Sequence, residues 1–307
     1  MSLALLFPGQ GTQHPTMLGW LDQHRDAAAT LDLMAAQLGR DWRSRLEDAA
    51  WAQRNPVAQC LLTGIEVAAW QCLSRLLPLP LAIAGYSVGE LPAFCAAGVI
   101  DAGAALRLAV DRADAMDRCV AGSDTGLMSV SGLRDGALTQ TCRRHGLAVA
   151  IELAADGWVL GGLSAALDRA AIELTQLGAR CKRLSIGLAS HTPWMADAVP
   201  AFALSVQATR FTLPRVPLVC NFTGAMVRCE SDLRSALADQ LAHPVPWARC
   251  MEVIAERRPH CVLEVGPGSS LSRLWNERYP EVPARSVDEF RAAEAVAAWV
   301  IGASGLR

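Results

Sequence analysis

The sequence predicts an α/β protein, a large domain built on a parallel sheet and interrupted by a small ferredoxin-like α+β insert. Three observations carry this reading. Residues 3–7 are a fully apolar, strand-length run ending in a glycine-rich turn, as strands inside a parallel sheet do. A second apolar run, residues 79–84, passes through Gly85-Tyr86-Ser87-Val88-Gly89-Glu90 straight into a helical pattern, which makes a strand–turn–helix unit. Beyond residue 125 the pattern runs strand, helix, strand, strand, helix, strand, the ferredoxin-like order. The large domain is therefore drawn as residues 1–124 and 190–307, with the insert at 125–189.

Taken in order, residues 3–7 lead into Pro8-Gly9-Gln10-Gly11-Thr12-Gln13. Turns at the carboxyl ends of parallel strands are where such sheets hold ligands. No G-K-[ST] follows, so this is not a P-loop. Residues 20–51 read as helix broken by charges, with no site assigned. Pro56 sits in the first turn of a helix predicted over 57–77, which Pro78 and Pro80 end. At the elbow, glycines two residues to either side of Ser87 let the backbone turn without Cβ clashes. The residue after the serine begins a helix, so its free N–H points at charge developing beside the hydroxyl. The plain alternative is a tight turn with a serine N-cap.

Asp101 caps the next helix, predicted to run to about residue 120. Leu106, Ala109, Val110, Ala113, Met116 and Val120 share its apolar face, and Arg107 and Arg118 lie opposite. Arg112 falls on the rim, where an arginine ordinarily snorkels to water and less often reaches a ligand. The insert follows, with strands at 126–131, 147–153, 158–161 and 179–184 and helices at 136–144 and 164–177. The chain returns through Ser190-His191-Thr192-Pro193 to a strand at 218–221, helices at 231–241 and 247–256, and a strand at 261–265. Gly266-Pro267-Gly268 turns into another helix, and a final helix is predicted over 288–301.

Composition narrows the function classes. Hydrophobic residues make up 52% and charged ones 19%, a globular balance. The net charge of −2 gives no electrostatic case for nucleic acid or a membrane surface. No run approaches the ~18 apolar residues of a membrane span, and the apolar start before Pro8 is too short for a signal peptide. The ten cysteines contain no C-x-x-C pair, which reads as reduced thiols in a cytoplasmic protein without structural zinc.

A nucleophilic Ser87 needs a base, usually histidine. Of the six histidines, His191 is the strongest candidate, because it lies where the insert rejoins the large domain and pockets favour such junctions. His243, before Pro244, comes second and His260, before a strand, third. His14 and His24 lie in polar stretches, and His145 ends a helix of the insert. A serine hydrolase of α/β-hydrolase order would instead use Ser87, Asp232 or Asp239, and His260. Two features oppose it: only one clear strand precedes the elbow, and the P-G-Q-G turn has no role there.

The stretch from Phe7 to Gln13 resembles the opening of the malonyl-CoA:acyl-carrier-protein transacylase family. The elbow resembles that family's G-H-S-x-G-E, and Ser190-His191 its S-H motif. Gln240-Leu241 with Pro244-Val245 resembles its Q-L-x-x-P-V, and Glu264-Val265-Gly266-Pro267-Gly268 its E-V-G-P-G, all in the family's order over residues 3–275. The resemblance implies an α/β-hydrolase-like large domain. It makes Ser87 the nucleophile that malonyl-CoA acylates and His191 its base. It also gives an oxyanion hole from the N–H groups of Gln10 and Val88, a histidine oriented by the Gln240 carbonyl, and Arg112 on the malonyl carboxylate. The same resemblance implies no metal and no bound cofactor, malonyl-CoA as substrate, and an acyl carrier protein as partner.

Tyr86 stands where the family usually has histidine, and Leu153 near its usual asparagine. Tyr86 and the stretch Trp42-Arg43-Ser44-Arg45-Leu46 are most similar to the transacylase (epsilon) subunit of bacterial malonate decarboxylase, which implies that system's carrier. A fatty-acid or polyketide-type transacylase is the alternative. A catalytically idle docking subunit would have lost Ser87, His191 or Arg112, and all three are present.

Overall fold

The computed structural model describes residues 2–133 and 135–303. Residues 1, 134 and 304–307, which the domains drawn from sequence include, lie outside the described residues. In chain order the strands are β1 (Leu3–Phe7), β2 (Ala82–Gly85), β3 (Thr125–Ser131), β4 (Ala148–Ala154) and β5 (Gly157–Leu163). They continue with β6 (Arg180–Arg183), β7 (Leu218–Cys220), β8 (Ala225–Met226), β9 (Cys261–Glu264) and β10 (Ala284–Ser286).

The larger sheet has the order β10-β9-β1-β2-β7-β8. All its pairs are parallel except β7 with β8. Strand β1 shows why a wholly apolar run belongs at its centre. Leu3, Leu5 and Phe7 point into one core, shared with the helices Asn55–Leu73, Glu90–Ala96 and Ala102–Cys119. Ala4 and Leu6 point into a second core, with Trp247 and Met251 of the helix Trp247–Ala255 and Trp275 of Ser270–Arg278. Each buried Leu or Phe contributes about 1.5–3 kcal/mol, so both faces of β1 have to be covered.

The smaller sheet has the order β4-β5-β3-β6, with every pair antiparallel. One face packs on the helices Asp135–His145 and Ser164–Gln176 through Met128, Leu138, Leu160 and Leu167. The other face sends Leu127, Ile151 and Val159 into the second core of the larger sheet. A parallel bridge between Ile151 of β4 and Val245 ties the smaller sheet to the segment that leads into the helix Trp247–Ala255.

Several predicted boundaries move. The helix predicted over 57–77 spans Asn55–Leu73, and residues 74–77 continue only as a turn, with the Leu76 and Leu77 N–H groups on the Leu73 carbonyl, before Pro78. The helix predicted over 288–301 is two pieces, a turn at Val287–Glu289 closed by a Ser286/Glu289 capping box, then Ala293–Ala303. Residues 20–51 resolve into Gly19–Gln23, Arg25–Leu38 and the single turns Trp42–Arg45 and Ala49–Ala52. No described helix is long and apolar enough to cross a membrane. The ten cysteines carry free thiols, and among the described residues no cluster is set to hold a metal ion.

Candidate active site

The carboxyl ends of parallel strands converge on one place. Register sets Phe7 of β1 beside Gly85 of β2, so the P-G-Q-G turn and the serine elbow lie side by side. Ser87 has φ 56°, in the left-handed region. The elbow glycines are needed for room rather than for their own torsions. A Cβ on Gly85 would lie 2.0 Å from the Gly89 carbonyl oxygen, and one on Gly89 would lie 2.3 Å from that of Phe7. Asn221, immediately after β7, locks the turn: the Ser87 N–H donates to its Oδ1 at 2.8 Å, and its Nδ2 donates to the Gly85 carbonyl. Among the described residues, the bonds of this turn use the N–H groups of Ser87 and Gly89 and pass over that of Val88.

Ser87 Oγ stands 2.7 Å from His191 Nε2, and His191 Nδ1 stands 2.6 Å from the Gln240 carbonyl oxygen. A carbonyl only accepts, so Nδ1 carries the proton and Nε2 presents its lone pair to the serine. His191 is buried and also left-handed, at φ 62°, with its own N–H on the Leu241 carbonyl at 2.7 Å. Burial, followed by the Arg112 charge, pushes the His191 pKa down to about 3, so the imidazole is a neutral base at physiological pH.

The other histidines lie elsewhere. His243 bonds the Asp239 carbonyl and stacks edge-on with Phe222. His14 pairs with Asp288, His24 accepts from Asp26 N–H at a helix start, and His145 meets Glu173. His260 sits with Ser2 at the amino end of β9, the opposite end of the sheet from the elbow. The hydrolase arrangement of Ser87, Asp232 or Asp239, and His260 is therefore not assembled.

Arg112 corrects the rim expectation, since its side chain is fully buried. Nη1 donates to Gln59 Oε1 at 2.8 Å, and Nη2 donates to Gln240 Oε1 at 3.1 Å and to Ser87 Oγ at 3.4 Å. Nε has no partner, and among the described residues no carboxylate forms an ion pair with this guanidinium. Burial lowers its pKa to about 10, and Glu90 opposes the shift. The Glu90 carboxyl accepts from Asn221 N–H at 2.7 Å and Gln240 Nε2 at 2.6 Å, and burial lifts its pKa to about 8. A buried cation with no paired anion is costly, so the site is electrostatically prepared for an incoming carboxylate.

A cleft of about 560 Å³ opens over the serine between the two sheets. Gln10 borders it on one side and Leu127, Ile151 and Leu153 on the other, with Lys182, Arg183 and Arg273 also in its lining. Tyr86 contributes to the wall and stacks edge-on with Trp247 at 5.1 Å; burial pushes its phenol pKa up. Sequence reasoning missed Asn221, Gln59 and Asn55. Gln59 is fully buried in the helix Asn55–Leu73 and Asn221 follows β7, and each meets its partner across a long stretch of chain, which no local pattern signals. Together these groups provide a serine nucleophile, a neutral base, candidate amide donors and an unpaired cation, which suits acyl transfer of a carboxylate-bearing group.

Comparison with known proteins shows the family. Residues 4–302 match the family model described as an acyl transferase domain. The malonyl CoA-acyl carrier protein transacylase of Mycobacterium tuberculosis is 33% identical over 293 residues, covering 93% of this chain and 96% of that protein. The solved transacylase of the same description from Coxiella burnetii superposes with a TM-score of 0.90 at 26% identity, covering 98% and 97% of the two chains. A malonyl-transacylase solved with a type II PKS acyl-carrier protein gives a TM-score of 0.90 at 26% identity, covering 97% and 99%.

Proposed function

The chain belongs to the acyl transferase domain family, and on that premise we propose that it carries a malonyl group from malonyl-CoA to the phosphopantetheine thiol of an acyl carrier protein through malonyl-Ser87. One observation carries the reading. The Oγ that meets His191 Nε2 at 2.7 Å also meets, at 3.4 Å, a fully buried Arg112 that forms no ion pair among the described residues.

In the first half-reaction Ser87 Oγ attacks the thioester carbonyl while His191 Nε2 takes its proton. The Gln10 and Val88 N–H groups stabilise the oxyanion. Collapse breaks the C–S bond, and CoA leaves with the proton from Nε2. The carrier thiol then gives its proton to Nε2 and attacks the Ser87 ester, and Ser87 leaves reprotonated. Arg112 clamps the malonyl carboxylate by paired hydrogen bonds throughout. Gln240 serves twice, its carbonyl holding His191 and its side chain holding Arg112.

For the carrier, our reading is that of malonate decarboxylase, supported by Tyr86 and by residues 42–46. The fatty-acid or polyketide carrier is the second reading, favoured by the names of the relatives and by the carrier complex of one of them. The insert is read as a ferredoxin-like domain of residues 125–189, supported by its strand–helix–strand–strand–helix–strand order.

The test is a single-turnover experiment followed by intact-protein mass. Malonyl-CoA should add one malonyl group to the wild type and none to Ser87→Ala; an adduct on the variant refutes the nucleophile. Discharge of malonyl-enzyme should be at least about tenfold faster to the decarboxylase carrier, a preference of only ~1.4 kcal/mol. Equal rates would return the assignment to the general family.

A further inference from the structure

Asn55 opens the helix Asn55–Leu73 and lies behind the site without lining the cleft. Its carboxamide is used to capacity. Oδ1 accepts from Gln59 Nε2 at 2.7 Å and from Gln10 Nε2 at 3.1 Å, while Nδ2 donates to Asp117 Oδ1 at 2.7 Å and to the Ala113 carbonyl at 3.2 Å. That is two acceptor sites and two donor hydrogens, all engaged. The Asp117 and Ala113 oxygens fix which way the amide faces, because turning it over would set oxygen against oxygen and N–H against N–H.

The fixed polarity propagates. With Asn55 Oδ1 facing it, Gln59 must offer Nε2 to Asn55, which leaves its Oε1 for Arg112 Nη1 at 2.8 Å. Released from Asn55, Gln59 is free to turn its N–H₂ toward the guanidinium, donor against donor. The second arm of Asn55 ends on the side chain of Gln10, whose backbone N–H is assigned to the oxyanion hole. Resting on the malonyl-transfer reading above, we propose that Asn55 is a positioning residue that sets the hydrogen-bond polarity behind Arg112. It anchors the oxyanion turn at the same point and so couples recognition of the acyl carboxylate to the reacting centre.

The test is the ratio of kcat/KM for malonyl-CoA to that for acetyl-CoA, read as acyl-Ser87 formation. Asn55→Ala should lower the ratio about tenfold, the worth of one buried hydrogen bond to a charged group. Asn55→Asp should do the same, because it faces a carboxylate toward Asp117. The exchange Asn55→Asp/Asp117→Asn restores a donor facing an acceptor and should bring the ratio back to within about threefold of wild type, a difference of ~0.7 kcal/mol. A ratio that Asn55→Ala leaves unchanged, with only the melting temperature lowered, would make Asn55 structural and overturn the proposal. An exchange variant no more selective than Asn55→Asp would overturn it equally, and this second comparison stands even where Asn55→Ala does not fold. Wild-type protein that malonyl-CoA does not acylate would remove the functional reading, and this proposal with it.

Discussion

Replacing Arg112 with alanine should separate two acyl donors that share every atom of the reacting thioester. In the wild type, a malonyl carboxylate would pair with a guanidinium held on one side by Gln59 Oε1 and on the other by Gln240 Oε1. In the variant the same carboxylate would face those two acceptor oxygens with no cation between them. Losing one partner of a buried, hydrogen-bonded charge pair costs about 3 kcal/mol, so kcat/KM for malonyl-CoA should fall about 10²-fold. Acetyl-CoA has no carboxylate to strand. It loses only the 3.4 Å contact from Nη2 to Ser87 Oγ, and His191 is relieved of a neighbouring positive charge that depresses its basicity. Its kcat/KM should therefore stay within about threefold, ~0.7 kcal/mol. The assay is the single-turnover rate of acyl-Ser87 formation with each thioester, with thermal melting as the check on folding. Equal losses for the two donors in a folded variant would show that Arg112 supports the core and does not read the acyl group.

Two other perturbations test the base. His191→Ala should slow acylation by about 10²-fold or more, as loss of a general base does, and His243→Ala should leave it nearly unchanged; the reverse result would reassign the base. Because burial and Arg112 push the His191 pKa to about 3, kcat/KM should show no break near pH 6.5 between pH 8 and 5, and a break there would refute the buried neutral imidazole. For stability the sign is positive with pH: between about 3 and 6.5 the unfolded chain binds a proton that folded His191 refuses, so the fold weakens as pH falls through that window. Glu90 acts in the opposite sense, since its folded pKa near 8 stands above the ordinary 4.5 and stability declines as pH rises between them. Urea midpoints across both windows, with Glu90→Gln flattening the upper one, check the two slopes.

What could be read from the sequence was what is local. An apolar run, a glycine-flanked serine and a helix after it lie together between residues 79 and 96, and the parallel strand and elbow follow from them. Arg112 shows where this stops. A helical wheel scores only its own helix and puts Arg112 on a rim, whereas Gln59, in another helix, and Gln240, just past the end of a third, enclose it. The same holds for Asn221, whose contact with Ser87 crosses 134 positions of chain. The carbonyl of Gln240 as the partner of His191 came from the family resemblance, since no side chain at that position advertises a backbone acceptor. Strands β8 and β10, two and three residues long, are too short for any periodicity to register.

The torsions of the two residues proposed to react carry a consequence for the protein's history. Ser87 and His191 are two of the four non-glycine residues among those described that hold a positive φ; the others are Leu18 and Arg258. Each such residue is held against a preference of about 1–3 kcal/mol, and glycine at either place would relax it. Chemistry and comfort thus pull in opposite directions at the same two positions. In a lineage released from acyl transfer, glycine at 87 or 191 would be a gain in robustness with nothing set against it, so disuse should erode these positions early. Serine and histidine kept in these postures are what continued acyl transfer would preserve, and glycine at either position is what its loss would allow.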